Sequence, residues 1–344
     1  MPDPRFFEPL GPVSIAELAR LAGADMADAA RGDAAITGVA PLERAGEGEV
    51  AFFADRRYSD ALGATRAGAC FVATGHADRL PESCRALITP EPQIAYIRAA
   101  QRLHRPRPIP PCDRLVHPDA ELEEGVVLAP GAVVGPHARI GRGTQIGANA
   151  VIGVGVVIGR DCEIGSNVSV GFALIGDRVR LLAGARIGEA GFGVAGGKQG
   201  AVDIPQLGRV ILQDGVSVGV NSCVDRGAWD DTVIGENTKL DNLVQIAHNC
   251  RLGRNVLAAA HTGISGSTMV GDGVRFGGRA GIADHVTIGD GATVLASGGV
   301  MRDIPAGEAW GGIPAMPARQ WFRQVAALAK LAQGRSRDGR NEHD

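Results

Sequence analysis

Aliphatic residues return at every sixth position over most of this chain, and that period limits the fold more than any other feature. They stand at Val116, Leu122, Leu128, Val134, Ile140, Ile146, Ile152, Ile158, Ile164 and Val170. After a slip near Ile175 the series passes through Leu181 and Ile187, breaks, and resumes at Ile234, Leu240, Ile246, Leu252, Ala258, Ile264, Val270, Phe276, Ile282, Ile288, Val294 and Val300. Six is the period of neither a helix nor an alternating strand, so each hexad reads as one short flat segment followed by a turn. Three hexads close a triangular coil of 18 residues. Stacked coils pair as parallel strands about 4.8 Å apart, with the recurring aliphatic pointing into a narrow prism. The 50 glycines and 4% aromatic content then share one cause. Glycine supplies corner backbone angles, and large rings do not fit the interior. A run of βαβ units would need amphipathic helices between the strands, and the hexads leave no room for them.

Residues 1–105 lack the repeat and read as a small α/β domain. One helix opens at Ser14-Ile15-Ala16-Glu17, a capping-box pattern, and a second spans about Pro92 to His104. Strand-like runs lie between them at Val50–Phe53 and Ala69–Val72. The proline-rich residues 106–112, continuing from Arg105, read as a stiff linker without regular hydrogen bonding. The prism fills 113–313, and 314–344 hold a helix and a basic tail. In that helix Trp321, Val325 and Leu328 share one side, while Arg319, Arg323 and Lys330 share the other.

A net charge of −3 with interspersed signs gives no field to hold a nucleic-acid backbone. The six cysteines are scattered without a CxxC pair, which fits reduced thiols and a cytoplasmic location. The first residues show neither a basic nor an apolar signal region, and glycines interrupt every apolar run, so no membrane span is expected.

The chemistry gathers in Lys239-Leu240-Asp241-Asn242-Leu243-Val244-Gln245-Ile246-Ala247-His248-Asn249. With Ile246 inward, His248 falls near a corner and faces out. Gly266 follows it by 18 residues, one full coil, at the same hexad position. An imidazole and a backbone N–H one strand spacing apart suit acyl transfer: His248 is the candidate general base and the Gly266 N–H the candidate oxyanion donor. Asp241, seven residues back, is the candidate orienting carboxylate. His248 stands at the third hexad position and His261 and His285 at the fourth, so a zinc site would need neighbouring chains, and no metal is expected. No covalent nucleophile is indicated, and Cys250 reads as a small wall residue.

The chain resembles the UDP-3-O-(3-hydroxyacyl)glucosamine N-acyltransferases of lipid A biosynthesis, a family within the hexapeptide-repeat acyltransferases. The resemblance rests on Ile204-Pro205-Gln206-Leu207-Gly208-Arg209-Val210, on Val224-Asp225-Arg226-Gly227 with Asp230-Asp231-Thr232-Val233-Ile234-Gly235, and on Asp241 through Asn249. It implies a mainly β fold: a left-handed parallel β-helix of hexapeptide repeats with a small N-terminal α/β domain and a C-terminal helical extension. It also implies a homotrimer with active sites between prisms. The reaction implied moves an (R)-3-hydroxyacyl group to the sugar 2-amine from the phosphopantetheine of acyl carrier protein, with no further cofactor. His248 is then the base, Asp241 its support, Gly266 the oxyanion donor, and His285, Gln245 and Asn249 substrate-binding residues. Phe52, Asp55 and Tyr58 match the family's uracil site, where asparagine is usual at the position of Asp55; an ionised aspartate only accepts hydrogen bonds. The segment from Gly188 to Pro205 matches a family loop carrying Phe-Gly-Phe but reads Phe192-Gly193-Val194. Arg319, Arg323 and Lys330 are expected to meet the acidic carrier protein. Other sugar acyltransferases with the same repeat, acting on UDP-N-acetylglucosamine or using coenzyme A, are the alternative; they lack the Phe52 to Tyr58 domain.

Overall fold

A computed structural model describes residues 2–26, 32–108, 110, 112–198, 200–313 and 315–338. From Glu121 onward the chain coils into a parallel β-helix with three flat faces. The first runs from Glu121–Leu122 to Thr287–Ile288, the second from Val127–Leu128 to Ala309–Trp310, and the third from Val133–Val134 to Gly299–Val300. Register is set by the hexad: Ile140 pairs with Ile158, Ile146 with Ile164, and Ile246 with Ile264. A slip by one residue would turn every inward aliphatic to solvent, so the burial of this column fixes the stacking.

Each hexad buries a second residue, four positions after the aliphatic, and here the sequence reading was incomplete. Ala150, Val156, Cys162, Val168, Val244, Cys250 and Val256 all fill this place. Where it is threonine, the hydroxyl donates to a carbonyl of a neighbouring turn, as Thr144 does to Gly159 and Thr238 to Gly253, both at 2.9 Å. The residue before it turns the corner with a left-handed backbone, and Asn149, Asn249, Asn255, His261 and His285 all show positive φ. Asparagine tolerates this region better than most side chains, which explains its recurrence there. Phe276 is buried inside the prism, against the expectation that large rings are excluded; its neighbour in register is Ala258, whose small side chain leaves the space.

The slip near Ile175 is a shortened coil, in which Ile158 pairs with Ile175 and Phe172 adopts a φ of 47°. The apparent break after Ile187 conceals a further coil. Val210–Leu212, Ser217–Val218 and Cys223–Arg226 continue the three faces, and Leu212, Val218 and Val224 point inward. Two detours hid it: a loop with the hairpin Val194–Gly197 and Gly200–Asp203, and a bend at 227–231.

The N-terminal unit is a five-stranded sheet in the order Asp25–Met26, Arg85–Ile88, Ala69–Val72, Glu49–Phe52, Gly38–Val39. Helix α1, Ile15–Ala22, is capped by Ser14, whose side chain accepts from the Glu17 N–H, and Gly23 closes it in the left-handed region. Helices α2, Ser59–Ala64, and α3, Pro92–Leu103, complete the unit. The expected linker is partly a strand: His104–Pro106 pairs antiparallel with Phe7–Pro9, at an edge where a missing proline N–H costs nothing. Ile109, Pro111 and the tail at 339–344 lie outside the described residues. Phe6 and Phe7 are buried against Phe172, so the first residues pack on the prism itself. Helix α4, Ala318–Asp338, stands clear of the prism with Trp321, Val325 and Leu328 exposed.

Candidate active site

At the end of the third face the strand Gln245–Ile246 buries Ile246 and turns outward through Ala247, His248 and Asn249. The coils above repeat the corner. The Ser267 N–H donates to the His248 carbonyl at 2.9 Å, and the His285 N–H to the Gly266 carbonyl at 3.1 Å. His248, Gly266 and Asp284 therefore form one column, with Asn249, Ser267 and His285 beside it.

The ring of His248 is confined from both sides by glycines. A β-carbon on Gly266 would stand 2.6 Å from Cε1 and 2.8 Å from Nε2; one on Gly191, in the loop, would stand 2.8 Å from the His248 Cβ and 3.0 Å from Cδ2. No real side chain tolerates such approaches, so both positions must be bare for the imidazole to occupy this slot. The Gly266 N–H takes no hydrogen bond among the described residues and remains available to a ligand.

Asn249 sets the ring's tautomer. Its Oδ1 lies 3.0 Å from His248 Nδ1 and also accepts the Ala228 N–H at 2.9 Å, while its own N–H donates to Thr232 Oγ1 at 2.9 Å. An amide oxygen held in this way only accepts, so in the neutral ring Nδ1 carries the proton and Nε2 holds the basic lone pair. Asn249 thus stands against the ring of His248, and among the described residues no hydrogen bond joins Asp241 to His248 within the chain. The Asp241 carboxylate accepts from the N–H groups of Asn242 at 2.8 Å and Ala260 at 3.1 Å. Seven residues is one hexad plus one, which places Asp241 at the preceding corner of the triangle.

Gln245 faces outward and donates through Nε2 to Asp225 Oδ2 at 2.8 Å. Asp225 belongs to the motif Val224-Asp225-Arg226-Gly227. Burial raises its pKa, opposed by the Gln245 hydrogen bond and by the charges of His248 and Arg226. The adjacent Arg226 is buried and joins the two ends of the first detour: Nε donates to the Gln206 carbonyl at 2.8 Å and Nη1 to that of Gly188 at 2.9 Å. Its guanidinium lies 4.2 Å from the Phe172 ring centroid. The loop so anchored presents Gly191 to His248 and holds Phe192 90% exposed.

The turn expected to read a flat base lies beside the same corner. Phe52 is half-buried with its ring 4.7 Å from Tyr96, which meets Trp229 edge-on at 4.7 Å, whereas Phe53 belongs to the small domain's core. Asp55 caps the 3₁₀ turn Arg56–Tyr58, accepting the Arg57 N–H at 2.9 Å through Oδ1 and the Arg57 guanidinium at 2.6 and 2.8 Å through Oδ2. Those bonds hold the Asp55 carboxyl below its ordinary range, with a further contribution from the charge of His285. Tyr58 is exposed.

Cys250 is buried, with Sγ 3.1 Å from the Ser265 carbonyl, and burial pushes its thiol up to about 12, which leaves no nucleophile. Among the described residues no group of three His, Cys, Asp or Glu is arranged to hold a metal ion, and no helix is long and apolar enough to cross a membrane. Arg319, Arg323 and Lys330 are exposed along α4, far along the chain from the corner.

Residues 33–102 match the family model of UDP-3-O-(3-hydroxymyristoyl) glucosamine N-acyltransferase. Residues 119–154 match the bacterial transferase hexapeptide, and 137–172, 155–189 and 268–297 the hexapeptide repeat of succinyl-transferase. Among curated proteins, the UDP-3-O-acylglucosamine N-acyltransferase of Caulobacter sp. (strain K31) is 59% identical over 98% of this chain and 99% of that protein. The protein of the same name from Methylobacterium sp. (strain 4-46) is 47% identical over 96% of this chain and 97% of that one. Of solved structures, the UDP-N-acetylglucosamine acyltransferase of Francisella novicida superposes with a TM-score of 0.46 at 20% identity, covering 61% of this chain and 73% of that one. With its hexad prism, its imidazole slot and a likeness to these curated relatives that extends over nearly its whole length, the chain belongs to the UDP-3-O-acylglucosamine N-acyltransferase family.

Proposed function

We propose that this chain transfers an (R)-3-hydroxyacyl group from acyl carrier protein to the 2-amine of UDP-3-O-(3-hydroxyacyl)glucosamine, in the lipid A pathway of the cytoplasm. The observation that carries the reading is the His248 slot, with Nδ1 held by Asn249 and Nε2 left basic, stacked on the free N–H of Gly266. Nε2 takes a proton from the amine as its nitrogen bonds to the thioester carbon. The carbonyl oxygen becomes an oxyanion facing the Gly266 N–H, and collapse expels the thiolate, which receives the proton from His248. The products are an amide and the free thiol of the carrier's phosphopantetheine, and no protein-bound intermediate is required.

Phe52 and Tyr58 flank the uracil in this reading, and His285 lies between that turn and the base. The Asp55–Arg57 pair changes the recognition expected of an asparagine: Asp55 is occupied as an acceptor, and the guanidinium supplies donors beside it. A homotrimer agrees with the outward-facing site and with the uncovered apolar side of α4. Asp241, one corner removed in its own chain, meets a His248 only across such an interface. Arg319, Arg323 and Lys330 are left on α4 for the acidic carrier protein.

Incubating the protein with a 3-hydroxyacyl carrier-protein thioester and UDP-3-O-acylglucosamine, and weighing the product, tests the reading. One added acyl group on nitrogen is expected, with kcat lowered about 10³-fold in His248→Ala. Acylation of a hydroxyl of UDP-N-acetylglucosamine instead, or full rate in the variant, overturns it.

A further inference from the structure

Asp225 is a carboxylate that the third face places one strand from the general base. Val224 pairs with Ile246 in adjacent parallel strands, so Asp225 lies beside Ala247, one residue short of His248. Gln245, on the strand above, reaches back and donates to Asp225 Oδ2 at 2.8 Å. Oδ1 takes no hydrogen bond among the described residues, although the side chain is half-buried. Arg226, the neighbouring cation, spends its donors on the carbonyls of Gln206 and Gly188, so it makes no hydrogen bond to this carboxylate, although its charge, like that of His248, favours the ionised form. The result is an acceptor fixed at one oxygen and open at the other, on the strand next to the one that leads into His248. That the His248 charge acts on Asp225 agrees with the placement.

The nucleophile's chemistry gives this acceptor a task, on the reading that the acceptor group is a sugar amine. A primary amine has two N–H bonds and one lone pair; a hydroxyl has one O–H. If one N–H points at His248 Nε2, the second needs its own acceptor, or it is desolvated without a partner and the lone pair is free to swing. We infer that Asp225 receives the second N–H of the attacking amine through Oδ1, so that the Asp225–His248 pair directs the lone pair at the thioester carbon and selects an amine over a hydroxyl. As the nitrogen bonds to carbon it gains positive charge, which the carboxylate stabilises until His248 removes the proton. Asp225 itself neither gains nor loses a proton over the cycle. Gln245 acts through Asp225 as its positioning residue.

The test is Asp225→Asn, read with two acceptors. In this variant the amide oxygen turns to the Gln245 Nε2, and the NH2 group then faces the substrate nitrogen, donor against donor. With UDP-3-O-acylglucosamine, kcat/KM is expected to fall at least about 100-fold, because a site built around an N–H loses its acceptor. The analogue bearing a hydroxyl at C2 binds through the same nucleotide and acyl chain, and its inhibition constant against the amine is expected to stay within about threefold, since its oxygen accepts from the new NH2. An amine kcat/KM within about threefold of the parent overturns the inference, as does an inhibition constant that rises in step with the loss of turnover, the mark of a structural lesion. Failure of the parent protein to acylate the amine at all would sink the underlying reading instead, which separates the two.

Discussion

The imidazole of His248 lies across the α-carbon of Gly266, so close that a β-carbon on Gly266 would come within 2.6 Å of its Cε1. Neither Gly266 nor Gly191 has a left-handed backbone, so glycine is required at both for space and not for conformation. Alanine at either position must push the ring out of its slot. We expect Gly266→Ala and Gly191→Ala each to lower kcat about 100-fold with little change in melting temperature, because the ring displaced is at the protein surface. Gly196→Ala in the hairpin that follows Gly191, where an added β-carbon meets nothing within 4 Å, is expected to behave as the parent protein. Steady-state kinetics with thermal melts decide this, and unchanged kcat in both slot variants would show that the slot is not required.

The Asn249 bond to Nδ1 makes a separate prediction. Asn249→Ala removes the acceptor that selects the tautomer, and kcat is expected to drop about 10- to 100-fold while KM for the nucleotide sugar is unchanged. Nitrogen NMR of His248 provides the direct readout, with the proton shifting from Nδ1 toward a mixture of both nitrogens. A spectrum identical to that of the parent would refute the assignment.

Acid stability turns on His104, which is buried with Nε2 unpartnered and has its pKa lowered by burial from 6.5 to about 4. Between those values the unfolded chain binds a proton that the folded chain does not. The stability that neutral His104 contributes is therefore complete above about pH 6.5 and is lost as the pH falls toward 4, by up to about 3 kcal/mol. Denaturant titrations of the parent protein and His104→Leu at pH 7 and pH 4.5 check the sign: the variant should lose less stability on acidification. Equal losses in the two proteins would remove His104 as the cause.

The prism was legible because one inward side chain per hexad repeats without regard to distant sequence. The coil through Leu212, Val218 and Val224 was not, since its spacing to Ile187 and Ile234 is stretched by detours that periodicity cannot cross. His248 and Gly266 could be paired from the coil length alone. Gly191 could not, because it reaches the ring through a loop whose course depends on Arg226 and the hairpin packed on Ile94 and Ile97. The partners of Asp241 were hidden as well: the hexad count puts it one corner before His248 but does not say that its carboxylate accepts from the N–H groups of Asn242 and Ala260. The pairing of His104–Pro106 with Phe7–Pro9 joins segments almost a hundred residues apart, and nothing local in either announces it.

On the third face above Gln245 the outward places are taken by Gly263, Gly281 and Gly299, around which an added β-carbon meets nothing within 4 Å. Each coil bonds only to its two neighbours, so this bare track is additive: splicing out the last coil, the 16 residues from Ile288 to Asp303, would bring Ile304 to the place of Ile288 and shorten the track by a single strand spacing, about 4.8 Å, without disturbing the register of His248 with Gly266. The architecture thus separates where bond-making happens from how much room extends beyond it. The second can be lengthened or trimmed in whole steps while the first stays as it is.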